Sequence, residues 1–291
     1  MAASDRRLQL SRMHRGGGDS AERLRLAIRY TVLVLVALIM LGPFVWLMYL
    51  SVRTQGNIYA WPSDWSEFSL RSYIVVWQNF PIGSAFRNSV LVALGQVVLV
   101  VLVASLAAYP LARYDFYGRE AVFLLILSTL MVPFQLYLIP LYVFVTKVLQ
   151  LNNSLVGVVL PFGCSVFGIY LIRQFYATVP RDLEEAARVD GAGELRVWWQ
   201  VMLPLTKPAV ATLAVFTLVA SWSNFLWPLI ILQDEAKWTL PVALATLTGA
   251  FVDRISYLAA GSIIAIAPVI VFFLILQRWF LGGMTVGAVK G

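Results

Sequence analysis

Six runs of roughly 20 apolar residues, each long enough to cross a bilayer, dominate this chain. They cover residues 29–50, 87–111, 121–146, 154–176, 209–233 and 257–281. At 1.5 Å rise per residue a helix of this length matches the hydrocarbon thickness of a membrane. Inside lipid every backbone N–H and C=O must be satisfied within the protein, so an apolar run of this kind folds as an α-helix. Charge agrees with the pattern. All 15 Asp and Glu lie outside the runs, and only 13% of the 291 residues are charged, where a soluble domain carries about a quarter. The expectation is an all-α membrane protein with six transmembrane helices.

Lys and Arg set its orientation. Seven arginines (Arg6, Arg7, Arg12, Arg15, Arg23, Arg25 and Arg29) precede the first run. With the N-terminus in the cytoplasm, sixteen of the 22 basic residues fall on that side, as the positive-inside rule requires, and both termini are cytoplasmic. The first run is longer than a signal-peptide core and leads into LMYLSVRTQ without a small-residue cleavage site, so it reads as a retained helix. The organisation that follows is a basic cytoplasmic tail at 1–28, a first span at 29–50 and an external loop at 51–86. A five-span core at 87–281 then encloses a cytoplasmic loop at 177–208, and a cytoplasmic tail closes the chain at 282–291. The first tail contains RGGGDS at 15–20 and reads as mobile. The external loop carries Trp61, Trp65, Tyr73 and Trp77, aromatics suited to a short helix at headgroup level. The basic tail serves as a topology anchor beside a span, and no nucleic-acid partner is expected.

Several chemistries find no residues here. No G-x-x-x-x-G-K-[ST] phosphate loop, H-E-x-x-H or G-x-S-x-G occurs. One cysteine, Cys164, and one histidine, His14, provide neither a disulfide nor a metal site. Cys164 sits in an apolar stretch and reads as a buried, inert thiol. With no carboxylate or histidine in any span, the usual proton relay of a coupled carrier is missing, although sodium coupling through backbone carbonyls would survive that argument. Active transport would draw its energy from another subunit.

The spans do hold uncharged polar groups. Asn88, Gln135, Tyr137, Trp222, Ser223 and Asn224 are candidates to line a path for a neutral polar solute such as a sugar. The competing reading for each is a hydrogen bond between packed helices. Pro133, Pro140 and Pro228 predict kinks in the third and fifth spans.

The polar loop between spans four and five reads as two short helices. Asp182, Glu184 and Glu185 follow Pro180, where negative charge complements a helix dipole. Gly191 allows a left-handed ending, and GELRVWWQVMLP at 193–204 forms the second helix. Leu183, Ala186, Ala187 and Asp190 share one face by spacing. A face of small residues admits the close approach of another protein; an amphipathic helix lying on the membrane is the alternative.

Residues Glu185, Ala186 and Ala187, then Gly191, Val201, Leu203 and Pro204, reproduce the spacing of a known motif. The pattern E-A-A, three residues, G, nine residues, an aliphatic, one residue, L-P resembles the EAA motif of bacterial ABC importer permeases. Four further stretches are similar to the carbohydrate-uptake branch of that family: LAAYPLARYDFYGRE at 106–120, MVPFQLYLIPLYV at 131–143, SWSNFLWPLI at 221–230 and TVGAVKG at 285–291. The chain most resembles the second permease of maltose-type systems. Val201 where the family often has Ile, and Ser223 between Trp222 and Asn224, are departures.

The resemblance implies a permease in a bacterial cytoplasmic (inner) membrane. It implies alternating access driven by two ATP-binding partner subunits, a second homologous permease and an external solute-binding protein. The chain itself would hold no cofactor, with ATP and Mg bound by the partner ATPases. Glu184, Glu185, Ala186, Ala187, Asp190, Gly191, Leu203 and Pro204 would form the ATPase-coupling element, and Val286, Gly287, Lys290 and Gly291 a further ATPase contact. A permease for glycerol phosphate or a polyol, an ion-coupled carrier and a docking scaffold are the alternatives.

Overall fold

The computed structural model describes the backbone of residues 2–53, 64–250 and 255–288, and side chains over 22–53, 64, 66–247 and 255–275. Its helices are α1 (Ala2–Val52), α2 (Arg71–Asn79), α3 (Ile82–Arg113), α4 (Arg119–Ser128), α5 (Phe134–Val143), α6 (Leu155–Val159) and α7 (Val166–Thr178). They continue as α8 (Asp182–Val189), α9 (Glu194–Val197), α10 (Leu203–Leu205), α11 (Lys207–Trp222), α12 (Leu226–Ile231), α13 (Leu240–Ala250) and α14 (Ile255–Ala288). Short 3-10 and π turns link several of them, and among the described residues there is no β-strand, only one isolated bridge between Arg53 and Phe68.

Three unbroken helical stretches are long and apolar enough to cross a membrane: Glu22–Val52 of α1, α3, and Ile255–Ile275 of α14. The other candidate spans are bent pairs. Arg119–Met131 meets Phe134–Val148 at 97°, and Leu155–Phe162 meets Val166–Thr178 at 49°. The first bend has a direct cause. Val132 precedes Pro133, whose ring disfavours helical backbone in its predecessor, and Val132 is extended (φ −86, ψ 111). Pro140 lies inside α5 without ending it. At the second bend Ser165 caps α7, its Oγ accepting from the Gly168 amide at 3.1 Å.

The fifth apolar run departs from expectation. It is not one helix over 209–233: α11 stops at Trp222, and α12 begins at Leu226. Pro228 has no N–H to give the Asn224 carbonyl and its ring would crowd that group, so a continuous helix is interrupted there. Helix α1 runs through RGGGDS, the stretch expected to be mobile, against a propensity cost of about 1 kcal/mol per glycine. Trp61, Lys290 and Gly291 lie outside the described residues, and Trp65, Val286 and Gly287 outside the described side chains.

Helix α3 is the central post. At one end Val100, Ala104 and Ala108 pack with Ile169, Ile172 and Tyr176 of α7 and with Val197, Trp198 and Met202. At the other, Ile82 and Ala85 pack with Val76 of α2, Trp222 of α11, Leu240 of α13 and Tyr257 of α14. Small residues bring α3, α7 and α11 together, as in many membrane bundles. A Cβ added at Gly168 would fall 2.9 Å from Leu213 and 3.0 Å from the Ala104 methyl. The aromatic loop before α3 contains the anticipated short helix, α2, with Trp77 exposed on it. An ion pair between the buried Arg53 and the half-buried Glu67 and a 2.8 Å Ser51–Tyr73 hydroxyl bond hold this loop to the end of α1.

Candidate functional site

Two features at opposite ends of one set of helices stand out: a polar elbow and an uncharged cavity. The elbow is formed by α8 and the helical stretch Glu194–Leu205, and a specific backbone turn sets the angle between them. Gly191 has φ +83, the left-handed region where a Cβ crowds the backbone. The Gly191 amide donates to the Arg188 carbonyl at 3.0 Å, and the Ala192 amide donates to the Ala187 carbonyl at 3.0 Å. That pair of bonds is the Schellman helix ending, which satisfies two otherwise orphaned carbonyls.

Beneath the elbow lies a cluster of charged and phenolic groups that no single stretch of sequence contains. The Glu184 side chain is 3% exposed and that of Arg113, at the end of α3, 5%. Arg113 Nε and Glu184 Oε1 approach to 2.5 Å off the hydrogen-bond axis, so this contact is an ion pair. Arg113 Nη2 donates to the Val179 carbonyl at 2.6 Å. One turn earlier on α3, the Tyr109 hydroxyl is placed to donate to Glu184 Oε2 at 3.0 Å and to Glu194 Oε2 at 3.2 Å. Arg188 Nε donates to Glu194 Oε1 at 2.8 Å, and its Nη2 lies 3.3 Å from Glu184 Oε2. Tyr114 adds a 2.5 Å bond to Glu194.

Titration follows from these contacts. The Arg188 and Tyr114 hydrogen bonds hold the Glu194 carboxyl down at about 2, and the Glu194 hydrogen bond raises Arg188. Burial, then the Glu194 bond, pushes the Tyr114 phenol up.

This geometry redistributes the residues expected on the coupling face. Glu185, Ala186 and Asp190 are exposed, and Val189 is 87% exposed. Glu184 is withdrawn, because it neutralises Arg113 inside the protein. Ala187 turns toward the core around Tyr109 and Tyr176, as does Leu203, while Pro204 is exposed. The exposed residues of α8 and its C-cap are thus Asp182, Leu183, Glu185, Ala186, Val189 and Asp190, and of the stripe inferred from spacing only Ala187 turns inward.

The cavity, of about 370 Å³, lies among α3, α7, α11 and the break after α11. Two amides (Gln96 and Asn224), three hydroxyls (Ser165, Thr217 and Ser221) and three rings (Phe162, Phe167 and Phe216) line it. Every lining residue is uncharged. Gln96 donates to the Phe162 carbonyl at 2.5 Å, which fixes one wall.

Of the six residues expected on a solute path, the cavity takes in Asn224 alone. Asn88 is buried and donates to the carbonyls of Ala236 and Trp238 at 2.9 and 3.0 Å, a structural tie. Trp222 is buried and donates to the Ala265 carbonyl at 3.1 Å. Ser223, Gln135 and Tyr137 are exposed away from the cavity. Cys164, expected to be buried, is exposed and lines the cavity at the α6–α7 break, where the chain leaves helical packing. Ser165, Thr217 and the three phenylalanines carry no signal in sequence that separates them from ordinary lipid-facing or packing residues. Among the described residues no group of three or more His, Cys, Asp or Glu is placed to hold a metal ion.

Comparison with known proteins adds the following. Residues 100–286 match the family described as binding-protein-dependent transport system inner membrane component. The chain is similar to the arabinooligosaccharides transport system permease protein AraQ of Halalkalibacterium halodurans. That match is 41% identical over 206 residues, 71% of this chain and 74% of that protein. It is also similar to the diacetylchitobiose uptake system permease protein NgcG of Streptomyces coelicolor, 31% identical over 279 residues, 93% of this chain and 91% of that protein. In three dimensions it resembles one chain in the crystal structure of a bacterial ABC transporter involved in the import of the acidic polysaccharide alginate. The TM-score is 0.76 at 24% identity, covering 89% of this chain and 98% of that one, which speaks for the fold.

Proposed function

Since this chain belongs to the family of binding-protein-dependent transport system inner membrane components, we propose that it is a permease subunit that carries a sugar or oligosaccharide into the cell, powered by partner ATPases. The observation that carries the reading is the elbow: a small-residue helix face with no internal obligations, fixed from behind to a transmembrane post. Glu185, Ala186, Val189 and Asp190 form the surface for an ATP-binding subunit, with Gly191 setting the angle and Pro204 at its far edge. Leu203 seats the second helix. Glu184 acts from behind the surface rather than on it.

ATP and Mg are held by two such partner subunits, and a second homologous permease completes the membrane part. An external solute-binding protein delivers the solute. The positive-inside bias supports an elbow and termini that face the cytoplasm. The C-terminal residues Val286, Gly287, Lys290 and Gly291 form a second contact with the ATPases.

Sugar as the cargo is supported by the cavity and by the oligosaccharides named for the relatives. Amides and hydroxyls match sugar hydroxyl groups, and rings match the apolar faces of a pyranose. An anionic cargo such as glycerol phosphate finds no cation in this wall.

The test is affinity capture of the tagged chain from its native membrane, with identification of what accompanies it. A nucleotide-binding subunit, lost on Ala186→Trp, and a second permease that stays are the expected result. The binding protein is then screened against sugars and glycerol phosphate. A chain recovered alone that sustains uptake in liposomes on an ion gradient would overturn the proposal.

A further inference from the structure

The elbow has two chain-continuous routes into the membrane, and both contain a joint. On one side α7 ends at Val179, which is extended (φ −75, ψ 132). On the other, Glu194–Leu205 meets α11 at 80°, across Thr206 (φ −98, ψ 18). A displacement of α8 that relied on the backbone would be absorbed at these joints.

A third route runs through side chains. Arg113 grips Glu184 within α8 and the Val179 carbonyl just before it. Tyr109 reaches carboxylates on both arms, Glu184 and Glu194, and Arg188 bridges the same two. The arms are thereby tied to each other and to α3 as one body. Breaking the Arg113–Glu184 pair would strand a buried charge, so the tie resists load. Helix α3 then continues without a break from Arg113 to Gln96 and Val100 in the cavity wall. Arg113 and Gln96 stand seventeen positions apart on this one helix, about 25 Å, with Pro110 in the last turn next to Arg113 and the rest of the path free of proline.

We propose that α3, rather than the sequence-adjacent α7 or α11, receives the movement of the elbow, and that Tyr109 and Arg113 are the positioning residues that transmit it to the cavity. This rests on the coupling role argued above. Tyr109 touches neither nucleotide nor solute; it acts by keeping both arms attached to the post.

Cys164 supplies a readout that needs no identified sugar. It is the sole cysteine of the chain, is exposed and lines the cavity. The experiment takes the assembled transporter with its partner permease and ATPases. It measures labelling of Cys164 by a membrane-impermeant maleimide, with and without ATP–Mg–vanadate, counted on the peptide that contains it. The unaltered chain should show a nucleotide-dependent change in labelling rate. Tyr109→Phe, which removes one hydroxyl and keeps the ring, should shrink that change by about tenfold or more, the scale of one lost hydrogen bond to a charged group. Capture of the ATPase and basal ATP hydrolysis should stay as they were. Arg113→Lys, which keeps the charge and loses the fork, should act in the same direction. An undiminished change in both variants would overturn α3 as the route while leaving the importer reading standing. Absence of any nucleotide-dependent change in the unaltered chain, with no ATPase bound, would overturn the coupling role itself and this route with it.

Discussion

Gly191→Ala isolates a single physical effect. At φ +83 an L-residue pays for contact between its Cβ and its own backbone, about 1–2 kcal/mol. Nothing else enters the sum, because a Cβ built at Gly191 meets no atom within 4 Å. There is no clash to relieve and no apolar contact to gain. A loss of this size shifts the balance between the closed and open turn by roughly 5- to 30-fold. The amides of Gly191 and Ala192 close the turn, so their hydrogen exchange, followed by mass spectrometry on the loop peptide, should speed up by that factor. Gly191→Asn should lose less, since asparagine tolerates this region, and Gly191→Val should lose at least as much as alanine. Gly193 is the internal control. It too has open space around it, but its φ is −72, and it stands at the N-cap of α9, where serine is welcome. Gly193→Ser should leave the exchange of both amides unchanged. Equal protection in the glycine and alanine proteins at position 191, or an equal loss at both positions, would refute the backbone argument.

Three further outcomes are expected. Asn88→Ala removes two hydrogen bonds, to the carbonyls of Ala236 and Trp238; at about 0.5–1.5 kcal/mol each, a thermal melt should show destabilisation of about 1–3 kcal/mol with solute preference unchanged, and an altered preference would restore Asn88 to the solute path. Asn224→Ala should weaken sugar uptake through KM by about 2- to 10-fold, one neutral hydrogen bond's worth, and an unchanged KM would return Asn224 to simple packing. Glu194 has its carboxyl lowered in the folded loop, from an ordinary 4.5 to about 2. Its contribution to elbow stability is therefore fully present above pH 4.5 and is lost as pH falls through about 2. NMR titration of labelled glutamate should give a midpoint near 2, and a midpoint at 4.5 would dissolve the Arg188–Tyr114 clamp.

The spans were readable because hydropathy is a local property, and a run free of charge has one viable fold in lipid. The elbow was readable for the same kind of reason. Pro180, the acidic first turn and Gly191 each act on the backbone within a few residues. What escaped depends on distant partners. Glu184 has the composition of an exposed helix start, and its burial is decided by Tyr109 and Arg113, more than seventy residues earlier. Asn88 and Trp222 are polar groups in apolar helices, a pattern that suits a pore or a tie equally well. In the structure both side chains donate to distant carbonyls, those of Ala236, Trp238 and Ala265, which no local pattern announces. Helix α13 was missed because 11 residues are too short to cross a membrane, although Leu240, Ala243 and Leu247 fall at helical spacing and are buried. The break after Trp222 could have been found by asking which carbonyl Pro228 leaves without a donor.

Helix α8 also separates what can drift from what cannot. Its inner side, Glu184 and Arg188, is committed to bonds inside the chain. Among the described residues, the side chains of Glu185, Ala186 and Val189 make no such bond. Substitutions on the outer side break no bond inside the chain, so the surface proposed for the ATPase can change its fit to a partner without disturbing these contacts. A change at Glu184 has no comparable freedom, because it must be answered on α3 before the protein can stand at all. Eight residues thus carry two faces, one fixed by internal chemistry and one free to change.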